Sequence, residues 1–288
     1  MTYRGRFAPS PTGLLHAGSL VAAVGSWLCA RSAQGQWLIR MEDIDPPREV
    51  AGSAAAILTA LPAFGLVADA PVVYQSSHMA AYDAAFEQLK QADLVFPCWC
   101  SRNDLAAAEG IHRDGRCIAA PDPHREPAWR IRVPDEEVTF IDNLQGEQRQ
   151  NLRDAVGDFV IRRVEGFYSY QLACAVDDAW QGIAEVVRGS DLLDSTPRQI
   201  WLQRCLDLPT PRYLHLPLVL DGEGQKLSKS ERSMEVNTSD PLPALHRALS
   251  FLDIKVDQNA VNPAKLLDSA LAHFDPKNLP HCSGHRVA

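Results

Sequence analysis

Short apolar runs and helical-period runs alternate along the first third of the chain. Residues 3–7 predict a strand, and Pro9 and Pro11 then bar a regular helix. From about Gly18, the positions Leu20, Val21, Val24, Trp27 and Leu28 recur at helical spacing, and Gly35 is a natural stop. Residues 37–41 predict a second strand. Residues 50–64 are alanine-rich and helical, closed by Pro62 and Gly65. Residues 72–74 form a third short strand, and Ser76 or Ser77 is placed to cap a helix that runs to about Asp93. Strands that alternate with helices predict a parallel α/β sheet.

The pattern changes at residue 98. Residues 98–157 are polar and rich in Gly and Pro, with extended pieces at 129–133 and 138–141, and read as an insertion within the α/β domain. Alternation resumes with 159–163, a helix from Tyr170 and a strand at 185–188. A helix capped by Ser195 then runs through Leu206, and a strand follows at 214–220. After Pro241 the chain is helical, with Asn262 as N-cap and Pro263 at the first helical position. Residues 276–288 read as a frayed tail. The expected organisation is therefore one α/β domain from 1–97 and 158–238, an inserted subdomain at 98–157, and a helical C-terminal part at 239–288.

Composition narrows the class. With 46% hydrophobic and 22% charged residues in 288, the chain buries a full core without staples; disorder, collagen-like repeats and coiled coil are excluded. No run approaches the roughly 20 apolar residues of a membrane helix. Two arginines, with proline and glycine, interrupt the N-terminus, so a secretory signal is not expected and a cytoplasmic protein is. A net charge of −8 argues against non-specific coating of nucleic acid, and leaves room for a local basic surface. Seven cysteines are scattered; in a reducing compartment the close set Cys98, Cys100 and Cys117 suggests a metal before a disulfide.

Two motifs carry chemistry. PSPTGLLHAGS at 9–19 lies between the first strand and the first long helix. That turn sits outside the strand carboxyl ends, where open α/β sheets bind ligands, and a helix N-terminus offers N–H groups to phosphate. His16 would donate to phosphate oxygens, and Gly18 lets a flat base or ribose approach. A structural histidine in a Gly/Pro-rich turn fits equally well. KLSKS at 226–230 follows a glycine-rich stretch, and its two lysines suit a transferring polyphosphate; a solvated loop is the alternative.

Together and in this order, HAGS at 16–19 and KLSKS at 226–230 resemble the paired signature of class I aminoacyl-tRNA synthetases. RFAPSPTG at 6–13, RMEDID at 40–45 with PPR at 46–48, Tyr170 through Asp177 and Asp178, VRGSD at 187–191 and STPRQ at 195–199 resemble the glutamate-specific branch. Only residues 231–288 follow Ser230, too few for the anticodon-reading domain of a full glutamyl enzyme. Ser19 and the Cys-x-Cys step also fit the truncated paralogues of that branch.

The resemblance implies a class I synthetase fold: a Rossmann-like parallel sheet with an inserted acceptor-type subdomain and a short helical C-terminal part. It implies activation of L-glutamate by ATP with Mg, and transfer to queuosine in the anticodon of tRNA(Asp), by a monomer. Glutamate would be held by Arg6, Ala8, Ser10, Glu42, Tyr170 and Arg188. Arginine forks suit its carboxylates, and Glu42 would face its ammonium group. His16, Gly18, Ser19, Lys226 and Lys229 would serve ATP, with His16, Lys226 and Lys229 catalytic. Asp177 and Asp178 are expected to be structural. The family places a tyrosine four residues before the last cysteine, but this chain has Arg113 there. A structural zinc would then be held by Cys98, Cys100, Cys117 and His112, with His124 the second choice for the fourth ligand. Cys282, with His281 and His285, reads as tail. The competing readings are a truncated glutamyl-tRNA synthetase that charges tRNA(Glu), and a non-catalytic tRNA-binding paralogue.

Overall fold

The computed structural model describes residues 2–101, 103–218 and 236–281. The N-terminal part follows the predicted alternation: β1 (Arg4–Phe7), α1 (Ala17–Ser32), β2 (Gln36–Met41), α2 (Ser53–Ala63) and β3 (Val73–Tyr74). The three strands are parallel in the order β1-β2-β3. β2 is buried over five of its six residues, as a parallel strand covered on both faces should be. α1 ends in a Schellman turn, with Gly35 N–H on Ala30 O at 2.8 Å and Gln34 N–H on Arg31 O at 2.9 Å. The left-handed residue there is Gln34 (φ 52), not Gly35. Gly35 is needed for another reason: a Cβ on it would strike the backbone of Tyr3.

α3 (Met79–Gln91) begins after a short turn at Gln75–His78, and neither serine caps it. Ser77 Oγ donates to Tyr74 O, and Ser76 binds Asp43, so both hydroxyls tie down the preceding turn. β4 (Val95–Cys98), β5 (Ala128–Ile131) and, further on, β8 (Phe159–Arg162) form an antiparallel sheet in the order β4-β5-β8. Pro97 is tolerated in β4 because β4 is an edge. Between β5 and β8 lie the hairpin β6 (Glu137–Asp142) and β7 (Gly146–Asn151), then the single turn α4 (Leu152–Ala155). β7 was not expected. Its six residues are Gly, Glu, Gln, Arg, Gln and Asn, and an edge strand needs no apolar face.

α5 (Tyr170–Trp180), β9 (Glu185–Gly189), α6 (Thr196–Cys205) and β10 (Arg212–Leu216) return the chain to the main sheet. Its second half has the order β7-β6-β10-β9, with β10 parallel to both β9 and β6. The N–H of Ala184, just before β9, donates to Arg4 O and joins the two halves. Ser195 makes no capping bond to α6; its hydroxyl accepts from Gln171 instead. The 214–220 strand is seen to Leu216, and residues 219–235 lie outside the described residues. α7 (Leu242–Phe251) and α8 (Pro263–Ala272) follow, and Asn262 caps α8 by accepting from Lys265 N at 3.0 Å, as expected.

The C-terminal helices share one core with the sheet. Leu245, Leu249 and Leu266 pack in the same cluster as Leu28, Trp37 and Leu216. Leu279, placed in the expected tail, is 3% exposed and belongs to that cluster. A separate cluster joins Val138 of β6 to Leu38, Val186 and Tyr213, so the hairpin packs on the main sheet. Among the described residues, no helix is long and apolar enough to cross a membrane. Leu245→Ala removes a side chain with no exposed surface and should cost about 2–5 kcal/mol. Denaturant unfolding followed by tryptophan fluorescence should show this in a single transition. A separate early transition for α7 and α8 would show that they are not part of the common core.

Candidate active site

The carboxyl ends of β1 and β2 and the C-terminal half of α5 meet around a buried cluster of charge. Arg6, on β1, is 2% exposed and grips Asp178, with Nε on Oδ1 at 3.0 Å and one terminal nitrogen on Oδ2 at 3.3 Å. Arg40, on β2, has no exposed surface. It donates to Asp178 Oδ1 and Gln181 Oε1, each at 2.7 Å, and lies 3.5 Å from Glu42 and 3.7 Å from Asp177. Asp177 also accepts from Gln75 and Tyr82 at 2.7 Å and pairs with His78 at 2.7 Å. The two aspartates are therefore structural, as expected, but their partners lie on β1, β2, the Gln75–His78 turn and α3.

Two guanidinium groups thus face three carboxylates. Burial would raise Asp178, yet Arg40 and Arg6 hold it down to about 2. Glu42 goes the other way: burial pushes its carboxyl up, although Arg40 opposes this. It is the acid with the least pairing, and its remaining partner is the thiol of Cys174 at 3.1 Å. Glu42, Ser10 and Tyr170 line a cavity of about 220 Å³, together with Thr12, Ile44 and Gln75. A larger open cleft of about 430 Å³ lies beside α7, between His246 and Gln258, and touches none of the expected site residues.

Arg188, on β9, reaches the cavity only through the hydroxyl of Tyr170, 3.2 Å from one terminal nitrogen. Its other acceptors are Gln199, Thr196, Leu192 O and His215. Arg188 and Arg6 were both expected to hold substrate carboxylates. The structure gives Arg6 a protein carboxylate and, among the described residues, gives Arg188 only neutral acceptors. Ala8 is half-buried in the turn after β1.

His16 is the N-cap of α1: its Nδ1 accepts from Ser19 N at 3.3 Å, and its Nε2 lies 2.9 Å from Ser19 Oγ. A Cβ at Gly18 would press on the His16 ring at 3.3 Å. His16, Gly18 and Ser19 therefore form one compact helix start at the sheet's ligand-binding edge. Lys226 and Lys229 lie outside the described residues.

Cys98, Cys100 and Cys117 come together, with all three sulfurs within 4.8 Å of one another. Burial raises the Cys98 thiol to about 11. Burial would raise Cys100 too, but the N–H groups of Ala119 and Ile118 bring it below its ordinary value. His112 does not join them. Its Nδ1 bonds Asp158 at 3.0 Å, and its backbone is bridged to Gly157. His124 is not in the group either, and Arg113 donates to Arg153 O and Asp154 O. Of the four expected ligands, the three thiols come together, and His112 lies outside their group.

Arg40, Gln199, Thr196, His215 and Asp142 were not singled out as site residues from the sequence. A signal existed for two of them. His215 is a lone polar residue between Leu214 and Leu216, and Asp142 ends a strand that places Val138 in the core.

The catalytic-domain family of class I tRNA synthetases for glutamate and glutamine matches residues 2–241. A glutamyl-Q tRNA(Asp) synthetase of Xanthomonas oryzae is 53% identical over 282 residues, covering 97% of this chain and 93% of the relative. One from Neisseria meningitidis serogroup C is 48% identical over 287 residues, covering 96% and 97%. Among solved structures, a glutamate tRNA ligase from Elizabethkingia meningosepticum, crystallised with its amino acid, superposes with a TM-score of 0.81 at 24% identity. It is covered over 67% of its length, against 100% of this chain, and supports the fold alone. The chain belongs to the class I tRNA synthetases of the glutamate and glutamine branch and, within it, to the glutamyl-Q tRNA(Asp) synthetase family.

Proposed function

We propose that this chain activates L-glutamate with Mg-bound ATP and transfers it to queuosine in the anticodon of tRNA(Asp). The observation that carries the reading is the charge layout around one cavity. Glu42 is a carboxylate in excess of its arginines, and Arg188, behind Tyr170, is a guanidinium with neutral partners. An amino acid offers the complementary ammonium and carboxylate groups. In the first step, an oxygen of the glutamate α-carboxylate attacks the α-phosphorus of ATP and pyrophosphate leaves. In the second, a hydroxyl of the queuosine cyclopentenediol attacks the glutamyl carbonyl carbon and AMP leaves. Neither step needs a protein nucleophile; positioning and electrostatic stabilisation supply the catalysis.

In this reading Ser10 and the backbone of Ala8 line the glutamate floor, and Arg6 shapes that floor through Asp178 and Arg40. His16, Gly18 and Ser19 take the nucleotide at the start of α1, and Lys226 and Lys229 meet its phosphates. Residues 1–97 and 158–238 act as the catalytic domain, 98–157 as the insertion and 239–288 as a helical C-terminal part. The protein works as a cytoplasmic monomer. The names of the relatives support the substrate assignment.

In this reading Glu42, Tyr170 and Arg188 of this chain hold the amino acid, so activation should not require tRNA. Glutamate-dependent ATP–pyrophosphate exchange should proceed with glutamate and ATP alone, and labelled glutamate should pass to tRNA(Asp) only when queuosine is present. Transfer to the 3′ end of tRNA(Glu) would favour the truncated glutamyl-tRNA synthetase instead, and absence of exchange would favour a non-catalytic binder.

Arg188→Ala would leave a substrate carboxylate without its guanidinium and should weaken glutamate binding by about 3–5 kcal/mol. Lys229→Ala should slow exchange with little change in the glutamate KM, because its partner charge develops on phosphate. An effect of Lys229→Ala confined to the glutamate KM would contradict its placement.

The three thiols suit a zinc ion, which prefers thiolate ligands near 2.3 Å. Held by Cys98, Cys100 and Cys117, it would tie β4 to the loop before β5 and contribute folding energy rather than chemistry. Purified protein should contain about one zinc per chain, and Cys100→Ser should lose it together with local stability. A zinc content near zero in stable protein prepared without chelator would reject the assignment.

A further inference from the structure

Arg188 is 5% exposed, and a buried arginine is ordinarily set against a carboxylate. Among the described residues, Arg188 has none. Its Nε donates to His215 Nε2 at 3.0 Å. One terminal nitrogen donates to Gln199 Oε1 at 2.9 Å and Tyr170 Oη at 3.2 Å. The other donates to Thr196 Oγ1 at 2.8 Å and Leu192 O at 3.3 Å. The negative charge on this line of contacts lies one ring further away: His215 Nδ1 is 2.6 Å from Asp142 Oδ2.

Both neighbours fix the proton on that ring. A guanidinium never loses its Nε–H, so His215 Nε2 must be the bare, accepting nitrogen. The proton then sits on Nδ1 and is donated to Asp142. The second carboxylate oxygen of Asp142 is already taken by the N–H groups of Leu144 at 3.0 Å, Gln145 at 2.8 Å and His215 at 3.2 Å. Burial pushes the imidazole down to about 4 against the pull of Asp142, so the ring is neutral at pH 7. Asp142 ends β6 of the hairpin within 98–157, and Gln145 in its turn donates to His215 O at 2.7 Å. The hairpin thus supplies the far end of a line that begins in the candidate glutamate site.

We infer that His215 and Asp142 are positioning residues for Arg188: the carboxylate orients the guanidinium through a neutral imidazole and leaves its charge for a substrate carboxylate. The inference rests on the proposed role of Arg188. A carboxylate in direct contact would compete with the substrate for the same fork; attraction falls with distance, so a spacer ring keeps the direction and weakens the competition. Thr196 Oγ1, 3.2 Å from His215 Nε2 and 2.8 Å from Arg188, completes the same shell.

Asp142→Asn tests the line directly. If the three backbone N–H groups keep the amide oxygen, the amide nitrogen faces His215 Nδ1 and drives its proton to Nε2, against the Arg188 donor. The glutamate KM in ATP–pyrophosphate exchange should rise about tenfold, with the ATP KM unchanged and kcat affected less. His215→Leu should do the same. His215→Gln, which restores an acceptor for Arg188, should recover part of the loss. Nitrogen NMR of the imidazoles should find the His215 proton on Nδ1 in the wild type and on Nε2 in Asp142→Asn. Thermal unfolding identifies any variant that fails to fold, and the wild-type spectrum alone still decides the tautomer. Wild-type protein with the proton on Nε2 would overturn the inference. So would folded Asp142→Asn and His215→Leu variants with an unchanged glutamate KM, if Arg188→Ala raises it. Should Arg188→Ala itself leave that KM unchanged, the role of Arg188 fails first and this inference with it.

Discussion

The burial of Arg40 is the constraint on which the rest of the site depends. A guanidinium without exposed surface is tolerated only when carboxylates and hydrogen bonds replace its water. Arg40 stands on β2, whereas Asp177, Asp178 and Gln181 stand on or just after α5, so satisfying its charge pins that helix against the sheet. Asp178, once there, also holds Arg6 of β1. Asp177 draws in Gln75, His78 and Tyr82 around the start of α3. Loss of one partner would strand a charge at a cost of about 3–5 kcal/mol, which gives the cluster little freedom to rearrange. The floor of the cavity is rigid for that reason, and Glu42 keeps its place there as the carboxylate that the arginines do not fully neutralise.

Arg188 obeys the opposite rule. Its hydrogen bonds are satisfied while, among the described residues, its charge is not paired. Neutral acceptors fix the orientation of the fork, and the counter-charge is kept beyond the ring of His215. One side of the cavity is thus short of positive charge and the other short of negative charge. Both are held by protein contacts, which lowers the reorganisation that binding must offset.

The segment 98–157 is tied to this arrangement by two kinds of contact. Its first part joins the antiparallel sheet, and the three thiols gather beside β4. Its hairpin extends the main sheet at β10 and brings Asp142 under His215. His112 and Asp158 organise the loop between, where Asp158 also accepts from the N–H groups of Gly115 and Val133. A change in the hairpin is therefore felt at Arg188 through two hydrogen bonds.

The sequence by itself determined the alternation of strands and helices, the Asn262 cap, and the motifs at the start of α1 and at the end of β2. Each is a local pattern, in which side-chain period or cap chemistry acts within a few residues. Tertiary structure decided which charges meet. Arg40 and Asp178 lie 138 residues apart, and His215 and Asp142 lie 73 apart, so no spacing rule reveals either pair. It also decided that His112 Nδ1 binds Asp158 and that His112 stays outside the thiol group, because nearness along the chain does not set where a side chain ends. It placed β7 at a sheet edge, where a polar strand is held by backbone bonds that leave no mark in the hydrophobic pattern. Local order is written in short-range sterics and hydrogen bonding; the pairing of distant charges is settled only when the core closes and each buried polar group must find a partner.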